Sequence, residues 1–131
     1  MMERILFGAE RMLGGKIQVA NYEDFRDSLS IYQISDLCSS GEFTNIPNSA
    51  WRYWRYVSPE NSYGNISELT FFKKDSVKQT KGRIIGTGGS FDNDPYKRKE
   101  VVFDGDPLTS LDTPVRDAAW VGMDFGEKLT F

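Results

Sequence analysis

What most constrains the fold of this chain is the period kept by its apolar residues. No stretch longer than about a dozen residues holds the i, i+3, i+4 spacing of an amphipathic helix; instead, short runs of Ile, Val, Phe, Tyr and Trp recur between turn-forming residues. These runs predict strands at Arg4–Phe7, Lys16–Ala20, Leu29–Ile34, Phe43–Ile46, Trp51–Val57, Ile66–Phe72, Gly82–Thr87, Val101–Phe103 and Trp120–Phe125. Gly14-Gly15, Ser39-Ser40-Gly41, Ser58-Pro59-Glu60-Asn61, Gly88-Gly89-Ser90 and Asp104-Gly105-Asp106-Pro107 punctuate them, because Gly, Pro, Asn and Asp supply the backbone angles of tight turns. Short strands at this spacing indicate an all-β chain folded as a sandwich or a barrel.

Trp51-Arg52-Tyr53-Trp54-Arg55-Tyr56-Val57 is the most informative run. Alternation sends Trp51, Tyr53, Arg55 and Val57 to one face and Arg52, Trp54 and Tyr56 to the other, so both faces carry aromatics and the strand belongs in the middle of a sheet. The rings could form a stacking platform for sugars or bases. Core packing, with arginine stems laid across the rings, is the expected reading.

A length of 131 residues suits one domain, and with a formal net charge of −3 no polyanion partner is implied and no nucleic-acid partner is expected. No apolar run approaches the roughly 20 residues of a bilayer span, and Met1 to Gly8 lacks a signal peptide's pattern. The chain is therefore expected not to be membrane-inserted. Cys38 is the only cysteine, which excludes an internal disulfide and a cysteine-based zinc cluster. The chain has no histidine, the commonest general base and metal ligand, so catalysis would need carboxylates or a hard metal. Asp92 and Asp94 are the obvious carboxylate pair, but they share one short loop, whereas glycosidase carboxylates flank a sugar at about 5 Å or more. No catalytic residue is assigned. Asp75 to Thr80 reads as an exposed connection and Lys97-Arg98-Lys99 as a solvated basic turn.

Asp104-Gly105-Asp106-Pro107-Leu108-Thr109, followed by Ala119-Trp120-Val121-Gly122-Met123-Asp124-Phe125-Gly126, resembles the opening half of the discoidin family, also called coagulation-factor type C. Arg11-Met12-Leu13-Gly14-Gly15-Lys16-Ile17-Gln18-Val19-Ala20-Asn21, the run Leu29–Ile34, Trp51-Arg52-Tyr53-Trp54-Arg55-Tyr56 and Asn65-Ile66-Ser67-Glu68-Leu69-Thr70-Phe71-Phe72 resemble its closing half. The resemblance extends to modules attached to glycan-degrading enzymes, such as chitobiases, of gut Bacteroides-type bacteria. Residues 1–74 are thus similar to the closing half and 81–131 to the opening half. Leu111 departs from the family, which often places an aromatic there.

The resemblance implies a jelly-roll β-sandwich, galactose-binding-domain-like, in circularly permuted order. A fragment straddling two tandem domains is the competing arrangement. Permutation is preferred because Arg4–Phe7 supplies the strand that should follow Phe125-Gly126, and it predicts a closed monomer with that strand beside Trp120–Phe125. A straddling fragment would instead dimerise by exchange of halves. The resemblance further implies a structural calcium ion held by the carbonyls of Val101, Asp106 and Ser67, the carboxylates of Asp104 and Glu68, and the hydroxyl and carbonyl of Thr109. Such an oxygen-only set suits calcium. An acidic turn capped by its own backbone is the alternative.

By resemblance the function is non-catalytic carbohydrate binding in an extracellular, periplasmic or cell-surface setting, and a protein-interaction, adhesion or assembly module is the alternative. Loop aromatics stack on sugars while Arg, Asn and Asp fix hydroxyls. Tyr63, Tyr96, Phe91, Phe43, Tyr22 and Phe25 are the candidate rings, and Asn93, Arg98 and Asn61 the candidate polar partners.

Overall fold

The computed structural model describes residues 2–6, 12–35, 40–43, 50–75, 77–117 and 119–131, with the backbone alone for 2–6 and 40–43. The chain is all-β. Its strands are β1 (Met2–Leu6), β2 (Lys16–Ala20), β3 (Leu29–Gln33), β4 (Ser40–Phe43), β5 (Trp51–Val57), β6 (Ile66–Phe72), β7 (Lys78–Gln79), β8 (Arg83–Gly86) and β9 (Trp120–Leu129). They form a four-stranded sheet in the order β4-β1-β6-β7 and a five-stranded sheet in the order β3-β2-β5-β9-β8, with every pairing antiparallel.

The two sheets meet across one core. Ile17 and Val19 of β2, Trp54 and Tyr56 of β5, and Val121, Met123 and Phe125 of β9 face Ile66, Leu69 and Phe71 of β6. Trp54 and Phe125 each meet the Phe71 ring edge-on, at 6.2 and 5.1 Å between centroids, an arrangement favoured by the ring quadrupoles. A smaller cluster of Ala20, Phe25, Tyr53 and Ile85, with Trp120 beside it, lies on the other face of the five-stranded sheet. The period-2 alternation of β5 therefore does hold apolar residues on both faces. Arg55 spans the second cluster, its guanidinium 3.9 Å from the Phe25 ring and 4.8 Å from Trp120.

Several expectations are corrected. A register shift between Trp51 and Tyr53 turns Arg52 to the Tyr53 face, where it binds Asp124, instead of leaving it with Trp54 and Tyr56. Val101–Phe103 is not a strand but part of a 3-10 turn (Lys99–Phe103), because Val101 and Asp104 bond back to the carbonyls of Arg98 and Val101. Lys78–Gln79 of the supposed connection pairs with Phe71–Phe72 as an edge strand. β1 does not lie beside β9: both edges of β9 are taken by β5 and β8, and β1 pairs with β4 and β6 in the other sheet. Residues 44–46 of the strand expected at Phe43–Ile46, and Phe7, lie outside the described residues.

Candidate functional site

One end of the molecule is organised by the segment Leu111 to Thr113, which runs between two loops and bonds to both. Leu111 exchanges backbone bonds with Asn65 and Ile66 at 2.7 and 2.9 Å, and the Thr113 N–H donates to the Tyr63 carbonyl at 2.8 Å. On the other side the Phe91 N–H donates to the Asp112 carbonyl at 2.8 Å and the Asp112 N–H to the Lys97 carbonyl at 3.0 Å. The Asp112 carboxylate ties the loops a second time, accepting from Asn65 Nδ2 at 2.7 Å and lying 4.0 Å from Lys97 Nζ. Gly64 is required in this frame: its φ is +107°, and a Cβ there would press on the Leu111 side chain at 3.0 Å.

The frame brings Tyr63 and Phe91 together, ring centroids 5.4 Å apart at 76°. The Arg116 guanidinium stands 5.8 Å from the Tyr63 centroid and Lys97 Nζ 5.3 Å from that of Phe91. Beside Tyr63 opens a pocket of about 420 Å³ whose polar walls include Glu60, Asn61, Asn65 and Arg116. Asn61, Asn65, Asp92 and Asn93 all hold left-handed backbone, with φ between 53° and 59°. Asn and Asp adopt that conformation at low cost, and among the described non-glycine residues the only other left-handed one is Phe25, so it is concentrated in the two loops bearing Tyr63 and Phe91.

Of the residues expected to bind a ligand, Tyr63, Phe91 and Asn61 are thus gathered at one loop end. Asn93 and Tyr96 belong to the Phe91 loop and are exposed, Tyr96 by 71%. Arg98 is exposed just beyond them. Tyr22 is exposed elsewhere, stacked under Arg26 at 3.9 Å. Phe25 is not a loop contact: it is 5% exposed and packs edge-on against Tyr53 and Trp120. The side chain of Phe43 lies outside the described residues. The Asp94 carboxylate accepts the Tyr96 N–H at 2.9 Å, the bond of an Asx turn. Sequence reasoning missed Arg116, Asn65, Glu60 and Asp112. No motif marks Arg116, whereas Gly64-Asn65 ahead of a strand was a turn signal that could have exposed Asn65.

A second constellation lies on β6. A register shift in the β1–β6 pairing, with Ile5 opposite Glu68 and Leu6 opposite Ile66, leaves Ser67 as the extra residue of a bulge. Glu68 is 6% exposed, and its Oε1 has no hydrogen-bond partner among the described residues. Burial, with the neighbouring Asp104 carboxylate as a second cause, pushes the Glu68 carboxyl up to about 8. Asp104 moves the other way: its burial is outweighed by the Asp106 N–H, Glu68 and the Thr109 hydroxyl. Thr109 Oγ1 lies 2.8 Å from Asp104 Oδ2 and 3.0 Å from the Asp106 carbonyl. The carbonyls of Val101 and Asp106 each accept one turn bond, from Asp104 and Thr109. Asp104, Glu68 and Thr109, with the Asp106 backbone, expected from distant parts of the chain to meet, are therefore brought together, and the buried Ser67 hydroxyl next to Glu68 has no partner among the described residues. Among the described residues no cluster of three or more His, Cys, Asp or Glu side chains is present. Any cation here would draw on two carboxylates and otherwise on carbonyl and hydroxyl oxygens.

Among the described residues no helix is long and apolar enough to cross a membrane. No family model, curated protein or solved structure matches the chain.

Proposed function

We propose that the chain is a non-catalytic carbohydrate-binding module, a discoidin-like jelly roll with circularly permuted halves, that receives a glycan at the Tyr63 and Phe91 loop end. The observation that carries this reading is the pocket beside Tyr63, where an aromatic ring, two asparagines, a glutamate and an arginine converge on a space of about 420 Å³. Sugars present an apolar face of C–H groups and a rim of hydroxyls. Rings receive the first, and amide, carboxylate and guanidinium groups the second. The left-handed loop backbone supports the reading, because pre-formed loops need little ordering on binding. Support for permutation comes from β9, which inserts between β5 and β8, so residues 120–129 complete a sheet begun by residues 16–57 within one chain.

The same proposal includes a structural calcium ion between Asp104 and Glu68. The residues fit it: the buried Glu68 carboxyl meets the exposed Asp104 carboxylate, one oxygen of Glu68 has no partner among the described residues, and hydroxyl and carbonyl oxygens complete a hard-donor set. Bound there, calcium would neutralise the paired carboxylates and tie β6 to the Asp104 turn.

The test is a glycan array probed with the intact chain, followed by titration of any sugar retained. Arg116→Ala and Tyr96→Ala, both at exposed positions, are expected to weaken binding by about tenfold or more while the melting temperature holds. Retention of no glycan, or binding indifferent to both substitutions, would overturn the reading.

A further inference from the structure

Residues 73 to 81 read Lys-Lys-Asp-Ser-Val-Lys-Gln-Thr-Lys, four lysines against one aspartate in a chain whose net charge is −3. The fold gathers this charge. After β6 the Lys73 N–H bonds to the Val77 carbonyl at 2.9 Å and β7 turns back to place Lys78 opposite Phe72. The Gln79 side-chain amide then donates to the Lys81 carbonyl at 3.0 Å. Lys73, Lys78 and Lys81 consequently line one cleft of about 450 Å³, together with Gln79, Thr80 and, from β9, Glu127. None of the three lysines makes an ion pair with a described residue. Lys78 also acts at longer range on Glu68, drawing its carboxyl down against the larger effects that raise it. Glu127 is the one carboxylate on the cleft wall, so positive charge prevails there.

We propose that this cleft is an anion-binding site for an acidic saccharide, one bearing sulfate or carboxylate groups. It is distinct from the Tyr63 loop end and stands independently of that reading: Asn65 precedes β6 and Lys73 follows it, about 25 Å apart at strand rise. Lysine ammonium groups are compact charges with three donors each, suited to anionic oxygens in varied geometries. Gln79 and Thr80 add neutral donors and acceptors of the kind that pair with sugar hydroxyls. A single-stranded nucleic acid would require stacking rings, and the one ring on the cleft wall, Phe125, is 9% exposed and packed in the core. An anionic lipid surface would require an apolar group to insert, and Val77 is the one exposed large apolar side chain between Lys73 and Lys81.

The experiment is affinity electrophoresis of the full chain through gels holding dextran sulfate, polygalacturonate or neutral dextran at low salt. The wild type is expected to be retarded by one or both acidic polymers, by neutral dextran not at all, and less as salt rises. Lys73→Gln/Lys78→Gln/Lys81→Gln should weaken that retardation at least fivefold, and Lys81→Gln alone should weaken it in part. Lys16→Gln, an exposed lysine of β2 at the far end of the five-stranded sheet from Glu127, should leave it unchanged. Dextran sulfate alone binding would assign sulfate, and polygalacturonate alone carboxylate. No retardation by either polymer, equal loss in the Lys16→Gln variant, or lysine-dependent binding seen only with phosphatidylserine vesicles would overturn the proposal.

Discussion

Arg52 and Asp124 lock β5 to β9 by a two-point ion pair, Nε to Oδ1 at 2.8 Å and Nη2 to Oδ2 at 3.1 Å. Arg83 of β8 reaches the same Oδ2 at 3.2 Å and the Gly126 N–H donates to Oδ1 at 2.8 Å, so one carboxylate, 5% exposed, ties three strands. The Arg52 hydrogen bond is the main reason that the Asp124 carboxyl titrates at about 2, below its ordinary 3.8.

A carboxylate depressed in the folded state stabilises it above the unfolded value, and that stability is lost as pH falls through 3.8 toward 2. The shift corresponds to about 2 kcal/mol. Because Arg52 and Arg83 are 42% and 59% exposed, screening reduces it to about 1 kcal/mol. In urea titrations the stability gap between wild type and Asp124→Asn should therefore narrow by about 1 kcal/mol between pH 5 and pH 2. A gap independent of pH would assign the Arg52 contact no electrostatic role.

The proposed cation makes a separable prediction. An ion that binds only the folded chain adds about 2.7 kcal/mol at a hundredfold excess over Kd, on the order of 10 °C in melting temperature for a chain of this size. Calcium should raise the melting temperature and chelator lower it, and Asp104→Ala and Glu68→Gln should each abolish the response without adding to one another. In chelator, Glu68→Gln should melt no lower than wild type, since the amide replaces a buried carboxyl whose ionised form is disfavoured by burial and by Asp104. Scanning calorimetry with and without calcium decides it, and a wild-type melt indifferent to both would remove the ion from the proposal.

Legibility in the sequence followed the strength of local pattern. Lys16–Ala20, Trp51–Val57 and Ile66–Phe72 were readable to the residue because five to seven alternating or apolar positions sit between clear turns. Val101–Phe103 has β-forming residues but is too short to show a period, and the hydrogen bonds that make it a 3-10 turn involve Arg98 and Asp104 outside it. Lys78–Gln79 was invisible since a two-residue edge strand with polar side chains carries no apolar signal. The neighbours of β1 are a matter of tertiary pairing, which strand propensity does not encode. The meeting of Asp104 with Glu68 was anticipated through resemblance alone. The grouping of Tyr63 with Arg116 had no local signal, because it depends on the 111–113 segment running between two loops.

Arg55 tests whether the rings on the outer face of the five-stranded sheet are packing or platform. Its guanidinium covers Phe25 and Trp120 and its Nε and Nη2 donate to Gln18 Oε1 at 3.0 and 2.7 Å. Removing stem and charge together should cost about 1 to 2 kcal/mol in Arg55→Ala. Arg55→Lys should recover less than half, since an ammonium cannot stack as a plane. Thermal melts check this, and an unchanged melt in Arg55→Ala would mean that the ring faces are available for another partner.

Gly122 sits at the centre of the five-stranded sheet, opposite Arg55 on one side and Ile85 on the other. A Cβ at this position would run into the Trp54 carbonyl oxygen and lie 2.7 Å from Arg55 Cβ and 2.8 Å from Arg55 Cα. These obstacles are mostly backbone of the neighbouring strand, which cannot rotate aside as a side chain would, so relief requires β5 and β9 to separate and their ladder to lengthen. Overpacking of this kind costs about 1 to 3 kcal/mol, and the two-sided pairing places Gly122→Ala at the upper end. Gly88 is the matched control: nothing lies within 4 Å of a Cβ built there and its φ is not in the left-handed region. Gly88→Ala should stay within about 0.5 kcal/mol of wild type or gain slightly through the restricted unfolded chain. Equal urea midpoints for the two variants would show that β5 and β9 do not approach as closely as the sheet register requires.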